Sequence, residues 1–281
     1  MKLLHHHYGK ARVRVMKIAR EGERHSLKEL DVSIMLQGDF DASYTKADNS
    51  RVVPTDTMKN TVNVLAKEKL GAEAEPFGIL VGQHFLKTYP QVESVQVRLC
   101  ERCWERIIVQ GKPHSHSFTE KSPAKPFAEV TCSRKETNVQ SGVSDLLILK
   151  TTQSGFEGYD LKDKFTTLPE TKDRIFATQL RAVWSYSRQP SSYTQANARI
   201  LDLMMEVFAT TYSPSVQVTL FQMGEAALKA VAEISKITLT MPNKHCLLIN
   251  LAPFGLENRN ELFLPTDEPH GLIEGTITRD D

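Results

Sequence analysis

Cysteine is scarce, with four residues in 281, at positions 100, 103, 132 and 246. A chain of this length built as a disulfide scaffold would carry far more. Cys100-Glu-Arg-Cys103 makes a CxxC, but no second CxxC follows it. The flanking VQVRLC alternates like a strand, which predicts that the two thiols turn to opposite faces. Long apolar runs are also missing: no stretch approaches the roughly 20 residues that cross a bilayer, and MKLLHHHYGK lacks the apolar core of a secretion signal. The formal charge is only +1, so neither nucleic acid nor a membrane surface is expected as a partner. The sequence contains no glycine-rich phosphate loop, HExxH, Walker or GxSxG motif, so the commonest cofactor and hydrolase readings lose their best support. What remains is an ordinary globular composition, 40% hydrophobic and 25% charged, with length for one large or two modest domains.

Periodicity then orders the chain. Val13 and Val15, followed by Val32, Ile34 and Leu36, alternate with polar neighbours and predict two strands joined near Glu21-Gly22. From Thr55 the period becomes helical, with Met58, Val62, Leu65 and Ala66 on one face. Thr55-Asp56 has the form of a helix start, the hydroxyl accepting from a free backbone N–H and the carboxylate facing the positive end of the dipole. A second helix is predicted after Pro76, with Phe77, Leu80, Val81, His84 and Phe85 inward, ending before Tyr89-Pro90. Val95, Val97 and Leu99 alternate again, and one more strand runs from Gly111-Lys112-Pro113 to Cys132. The second half repeats this ββααββ order. Leu146–Leu149 and then Leu180, Ala182, Trp184 and Tyr186 give strands around a loop carrying Phe156 and Arg174. Ile200, Leu201, Met204, Val207 and Phe208 take helical spacing, and Ser213-Pro214 reads as the cap and first residue of another helix. Ile237, Leu239 and Met241, the run Cys246–Leu251, and Ile273 with Ile277 close as strands. Two such units, at 1–136 and 137–281, imply a tandem duplication. The predicted class is α+β, with antiparallel sheets that each carry helices on one face. Joining several chains into a barrel would bury the other face and remove free edges, so an oligomer is expected.

Chemistry is harder to read from spacing. His114-Ser-His116 places two rings on one strand face, but zinc needs three or four ligands, so these read as strand histidines or as indirect contributors. Other polar groups stand at element ends: Tyr8-Gly9-Lys10, Thr55-Asp56, Arg174 behind Glu170-Thr-Lys-Asp173, Gln217, and Asn243-Lys244-His245. Each alone has an ordinary structural explanation, as a surface lysine, a cap, a paired arginine, a solvated glutamine or a loop histidine.

Taken in order, SYTKADNS (43–50), VPTDT (53–57), KTTQSGFEG (150–158), FTTLPETKDR (165–174), SPSVQ (213–217) and PNKH (242–245) resemble the urate oxidase family from Tyr8 to near the end of the chain. The resemblance implies two tandem T-fold domains, a homotetramer around a β-barrel tunnel, and active sites at subunit interfaces. It also implies oxidation of urate by dioxygen to 5-hydroxyisourate and hydrogen peroxide, with neither metal nor organic cofactor. On that likeness Lys10, Thr55 and His245 form the catalytic triad. Arg174 grips the urate edge as a two-pronged donor, Gln217 and the backbone of Val216 hold the other side, and Phe156 stacks on the ring. The backbone N–H of Asp56 contacts urate, Asn243 and Thr55 hold oxygen or water, and Ile273 lines the wall. A free lysine, with a pKa of ~10.4, is a poor base near neutrality, so the relay requires neighbours that favour the neutral amine.

The chain departs from the family pattern at Glu157 and Tyr159 beside Phe156 and at Cys246 after His245, and its connection at 188–195 is shorter than in eukaryotic relatives. His5-His6-His7 is assigned no function. The ending TRDD is not a peroxisomal signal, and cytoplasmic residence is expected. Two alternatives stand beside the oxidase: a zinc-dependent cyclohydrolase of the same fold, using Cys100, Cys103, His114 and His116, and an inactive urate-binding relative.

Overall fold

The computed structural model describes residues 2–279, so the last two positions of TRDD lie outside the described residues. The chain forms two compact units, one running to Gly142 and taking in Ser185–Thr194, the other made of Val143–Trp184 and the residues from Gln195 onward.

The first unit opens with β1 (Tyr8–Glu21) and β2 (Arg24–Gly38), joined by a two-residue turn in which Gly22 takes φ +62°. Glycine adopts that left-handed backbone at no steric cost. A short helix α1 (Asp41–Thr45) precedes α2 (Thr55–Lys69) and α3 (Ala74–Thr88). Strand β3 (Val92–Arg102) leads into β4 (Trp104–Val109), which the sequence pattern does not predict and which forms a hairpin with β5 (Lys112–Glu120); the single strand expected from Gly111-Lys112-Pro113 to Cys132 divides into β5 and β6 (Lys125–Ser133), and β7 (Thr137–Lys150) follows. Gln110 and Gly111 both have positive φ, which matches the turn that twists such a hairpin correctly. The sheet order here is β1-β2-β3-β6-β7, with β4-β5 separate. Val32, Ile34, Leu36, Val95, Val97 and Leu99 are fully buried on its helix-covered face.

Two expectations need correction. The cap of α2 is Pro54, no side chain caps the helix, and Thr55 is its first residue, so the Thr55 hydroxyl is not spent on capping. Helix α3 starts two residues before Pro76, which its first turn tolerates. Gly78 and Gly82, which an apolar count overlooks, lie close against the sheet. A Cβ at Gly78 would sit 2.7 Å from Leu99 Cδ1, and one at Gly82 would sit 2.6 Å from Cys132 Sγ.

The second unit uses the end of β7, β8 (Phe176–Tyr186), β9 (Ile234–Lys244) and β12 (Gly271–Thr278) in the order β7-β8-β9-β12. A small β10 (Cys246–Leu248) and β11 (Phe263–Pro265) pair separately, so the predicted strand to Leu251 stops at Leu248. Helices α4 (Tyr193–Thr210) and α5 (Val216–Ala230) bury Ile200, Met204, Leu220, Met223 and Ala227 with Leu180, Ala182, Trp184, Ile237 and Leu239. The cap of α5 is Ser215, whose hydroxyl accepts from Val218 N, whereas the expected cap Ser213 is buried and serves the neighbouring loop. Met16, Ile18, Leu147 and Leu149 stay exposed on the sheet strands.

Within the first unit, Glu73 joins α3 to the start of α4, accepting from Ser192 Oγ at 2.6 Å and Thr194 N at 2.9 Å. Burial opposes its ionisation, but these hydrogen bonds outweigh burial and hold the carboxyl below the usual range. A lowered folded-state value stabilises the fold above the unfolded value, about pH 4.3, and that contribution is lost as pH falls through the folded value. Glu73→Gln is therefore expected to flatten the acid limb of a stability-versus-pH curve while changing little in its dependence above pH ~6. Gly82→Ala is expected to lower stability by about 1–3 kcal/mol in denaturant titration. Gly71, where a Cβ would meet nothing within 4 Å, is the neutral control.

Candidate active site

The connection at 151–175 lacks regular structure, and backbone hydrogen bonds hold its two ends. Ser213 N donates to Gln153 O at 2.9 Å and Gly155 N donates to Ser213 O at 2.8 Å. Phe156 and Thr171 exchange bonds of 2.7 and 3.1 Å, and Arg174 N donates to Ser154 O at 2.8 Å. The Asp173 carboxylate accepts from Thr152 Oγ1 and Gln153 N. Ser213, which opens the SPSVQ segment, is itself bonded by Thr219 Oγ1 at 2.7 Å. There is no room for a side chain at Gly155, where a Cβ would stand 2.2 Å from Tyr212 Oη and 2.9 Å from Thr171 O.

This bracing places Phe156 and Arg174 on a cleft of about 720 Å³ that Thr171, Asn243 and His245 also border. Arg174 is half-buried, its Cζ 5.4 Å from the Phe156 ring centroid, and its Nε is buried without a hydrogen-bond partner. Burial lowers its pKa from the ordinary arginine value. A desolvated guanidinium with a donor still unused favours an anion that can accept it. Tyr159 stacks on Phe156 at 4.8 Å and 12°, and its hydroxyl donates to Leu168 O. Asn243, at the end of β9, pairs with Gly271. His245 follows on an exposed connection, its carbonyl accepting from Thr266 N at 2.8 Å. Ile273 pairs with Met241 on the same pair of strands. Val216 is buried and Gln217 exposed at the start of α5. Neither borders the cleft, although Ser213 ties their segment to the Phe156 loop.

A second group gathers in the first unit. Lys10 is half-buried on β1, and Thr55 and Asp56 are exposed in the first turn of α2. Lys59 chiefly holds the Asp56 carboxyl below its usual range, with Asn60 and the Lys10 charge adding to it. Tyr8, two residues before Lys10, donates to Val53 O at 3.2 Å and accepts from Val53 N at 2.8 Å, which fixes the segment leading to Thr55.

The metal-like features do not assemble. His114 and His116 lie edge to face at 4.5 Å, and among the described residues no group of three His, Cys, Asp or Glu side chains is placed to hold a metal ion. Cys100 and Cys103 border one cleft together with Glu101 and Arg102, and β3 ends at Arg102, before Cys103. Tyr212 is a site-bracing residue that sequence reasoning misses. The signal available is its place immediately before SPSVQ.

An antiparallel sheet with two long helices on one face, twice in one chain, defines a T-fold protein. The crystal structure of uricase from Arthrobacter globiformis superimposes with a TM-score of 0.95 at 38% identity, covering 100% of this chain and 96% of that one. The sequence profile of the Uricase family matches residues 6–131 and 139–274. Uricases of Dictyostelium discoideum and Oryctolagus cuniculus are each 42% identical, over 99% and 97% of this chain and 97% and 93% of their own lengths. The chain belongs to the uricase family.

Gly155→Ala is expected to displace the Phe156 strand bridge and weaken binding of a planar anion by roughly tenfold or more. Calorimetric titration with a non-reacting purine anion measures this.

Proposed function

We propose that this protein oxidises urate with dioxygen and water to 5-hydroxyisourate and hydrogen peroxide. The observation that carries the reading is the half-buried Arg174, its Nε unpartnered, beside an aromatic ring in a cleft that also presents Asn243 and His245. In a chain of the uricase family, that is a receptor for a flat, electron-rich anion. Arg174 takes the urate edge as a two-pronged donor, Phe156 offers a stacking surface, and Val216 N–H with the Gln217 amide holds the opposite edge. The start of α2 supplies the Asp56 N–H, and the Thr55 hydroxyl, free of capping duty, is taken as the link between substrate and base.

The proton path runs from urate through Thr55 to Lys10, with His245 completing the relay. The resulting dianion gives two electrons to dioxygen held above the ring by Asn243 and Thr55. Oxygen adds at C5, the hydroperoxide leaves as hydrogen peroxide, and water supplies the hydroxyl that remains. Protons and electrons balance without a further oxidant.

The same reading makes 1–136 and 137–281 tandem T-fold domains and the working form a homotetramer. Lys10, Thr55 and Asp56 of one subunit meet Phe156, Arg174, Val216, Gln217, Asn243 and His245 of another. Exposed Met16, Ile18, Leu147 and Leu149 on sheet strands support burial against other copies. Four free cysteines suit the reducing cytoplasm, the compartment we assign. Among the described residues, no helix is long and apolar enough to cross a membrane.

The test is loss of urate's ultraviolet absorbance in chelator-treated, flavin-free protein, with oxygen uptake and peroxide recorded together. One peroxide and one oxygen per urate are expected. Absence of oxygen-dependent urate loss in intact, urate-binding oligomer would refute the oxidase reading. Stoichiometric zinc required for turnover would favour the cyclohydrolase alternative. Lys10→Met and Thr55→Ala are expected to lower kcat by about 10²-fold or more with urate binding nearly unchanged. Arg174→Lys is expected to weaken binding itself.

A further inference from the structure

Strand β1 does not keep one phase. Lys10 pairs with Ile34 and Val13 pairs with Val32, so Ala11 and Arg12 together oppose Ser33 alone. Directly paired residues on neighbouring strands point to the same face. Ile34 and Val32 are both fully buried beneath the helices. Lys10 and Val13 therefore share the helix-covered face although three positions separate them, an odd spacing that a regular strand would send to opposite faces. Were the same residues strung in a regular ladder, the phase set by Val13 and Val15 would turn Lys10 outward, away from the start of α2.

The bulge is built, not incidental. Arg12 takes φ +58°, a left-handed backbone rare for a side-chain-bearing residue. Its N–H donates to Ser33 Oγ at 3.2 Å, so the residue opposite the bulge also fastens it. Just upstream the strands approach so closely that a Cβ on Gly9 would lie 1.7 Å from Ile34 O. A change of phase with a left-handed residue also occurs in β7. Val139, Ser141 and Val143 are buried, then Leu146, Ile148 and Lys150 are half-buried between exposed Leu147 and Leu149. The change of phase falls at Asp145, with φ +60° and its carboxylate accepting from Gln179 Nε2 at 3.2 Å. Three positions separate Val143 from Leu146 as they separate Lys10 from Val13, so Val143 occupies the slot that Lys10 fills in β1. Bulges beside active sites commonly re-aim a side chain in this way.

We propose that the Ala11–Arg12 bulge is the device that turns Lys10 toward Thr55, with Ser33 as a positioning residue that holds it. This inference rests on the role given to Lys10 above, and the experiment separates the two. Arg12→Val places a β-branched side chain in left-handed backbone and should iron out the bulge, whereas Arg12→Gly favours it. Intact oligomers of each variant are compared for kcat, binding of a non-reacting purine anion, and the pH profile of kcat. Arg12→Val is expected to lower kcat about tenfold or more and shift the profile, with anion binding within about twofold. Arg12→Gly is expected to restore kcat. Should Arg12→Val fail to fold, Ser33→Ala, which removes only the 3.2 Å bond, is expected to lower kcat severalfold, with Ser33→Thr restoring it. Full kcat in folded Arg12→Val or Ser33→Ala, when Lys10→Met is inactive, overturns the inference alone. Full kcat in Lys10→Met overturns the role of Lys10 and the inference with it.

Discussion

The cleft depends on backbone hydrogen bonds that tie one irregular connection to itself and to the start of a helix. Residues 151–175 have neither strand ladder nor helix to hold them, so Phe156 and Arg174 are placed by Ser154, Thr171 and Ser213. Backbone bonds of this kind are individually modest, about 1 kcal/mol each. Together they leave the segment little freedom, and glycine at 155 lets Tyr212 and Thr171 close from both sides. A guanidinium can then be kept half out of water with a donor unspent, a state that a mobile loop would relax by exposing it.

The two units differ in the groups they present. The second sets a cation, a ring and an amide around one cleft. The first gathers titratable groups at the start of α2, where the Lys59 and Lys10 charges act on Asp56 in a helix terminus whose backbone donors point outward. Each of these groups is held by the packing of its own unit.

Much of the architecture was legible because burial imposes a period. Strands β2 and β3 and helices α2 and α5 follow their apolar spacing, and each repeat's order emerges from it. What escaped has a physical reason in each case. Gly78 and Gly82 carry no side chain to count, yet they set how closely α3 approaches the sheet. The β4-β5 hairpin is largely exposed and so shows little alternation. Proline at 54 and serine at 215 displaced the expected caps by one and two residues. The individual candidate site groups stand out only as a set of motifs in order. Spacing alone could not join Arg174 to Asn243, which are neighbours only through the cleft.

The phase change in β1 bears on how the strand tolerates altered length. Elsewhere in a two-sided strand, loss of one residue exchanges buried and exposed sets for everything upstream. Between Lys10 and Val13 the partner strand already spans one residue fewer. Removing Ala11 or Arg12 would leave a regular ladder with every other side chain on its present face. The strand therefore contains one place where its length is negotiable and its orientation is not.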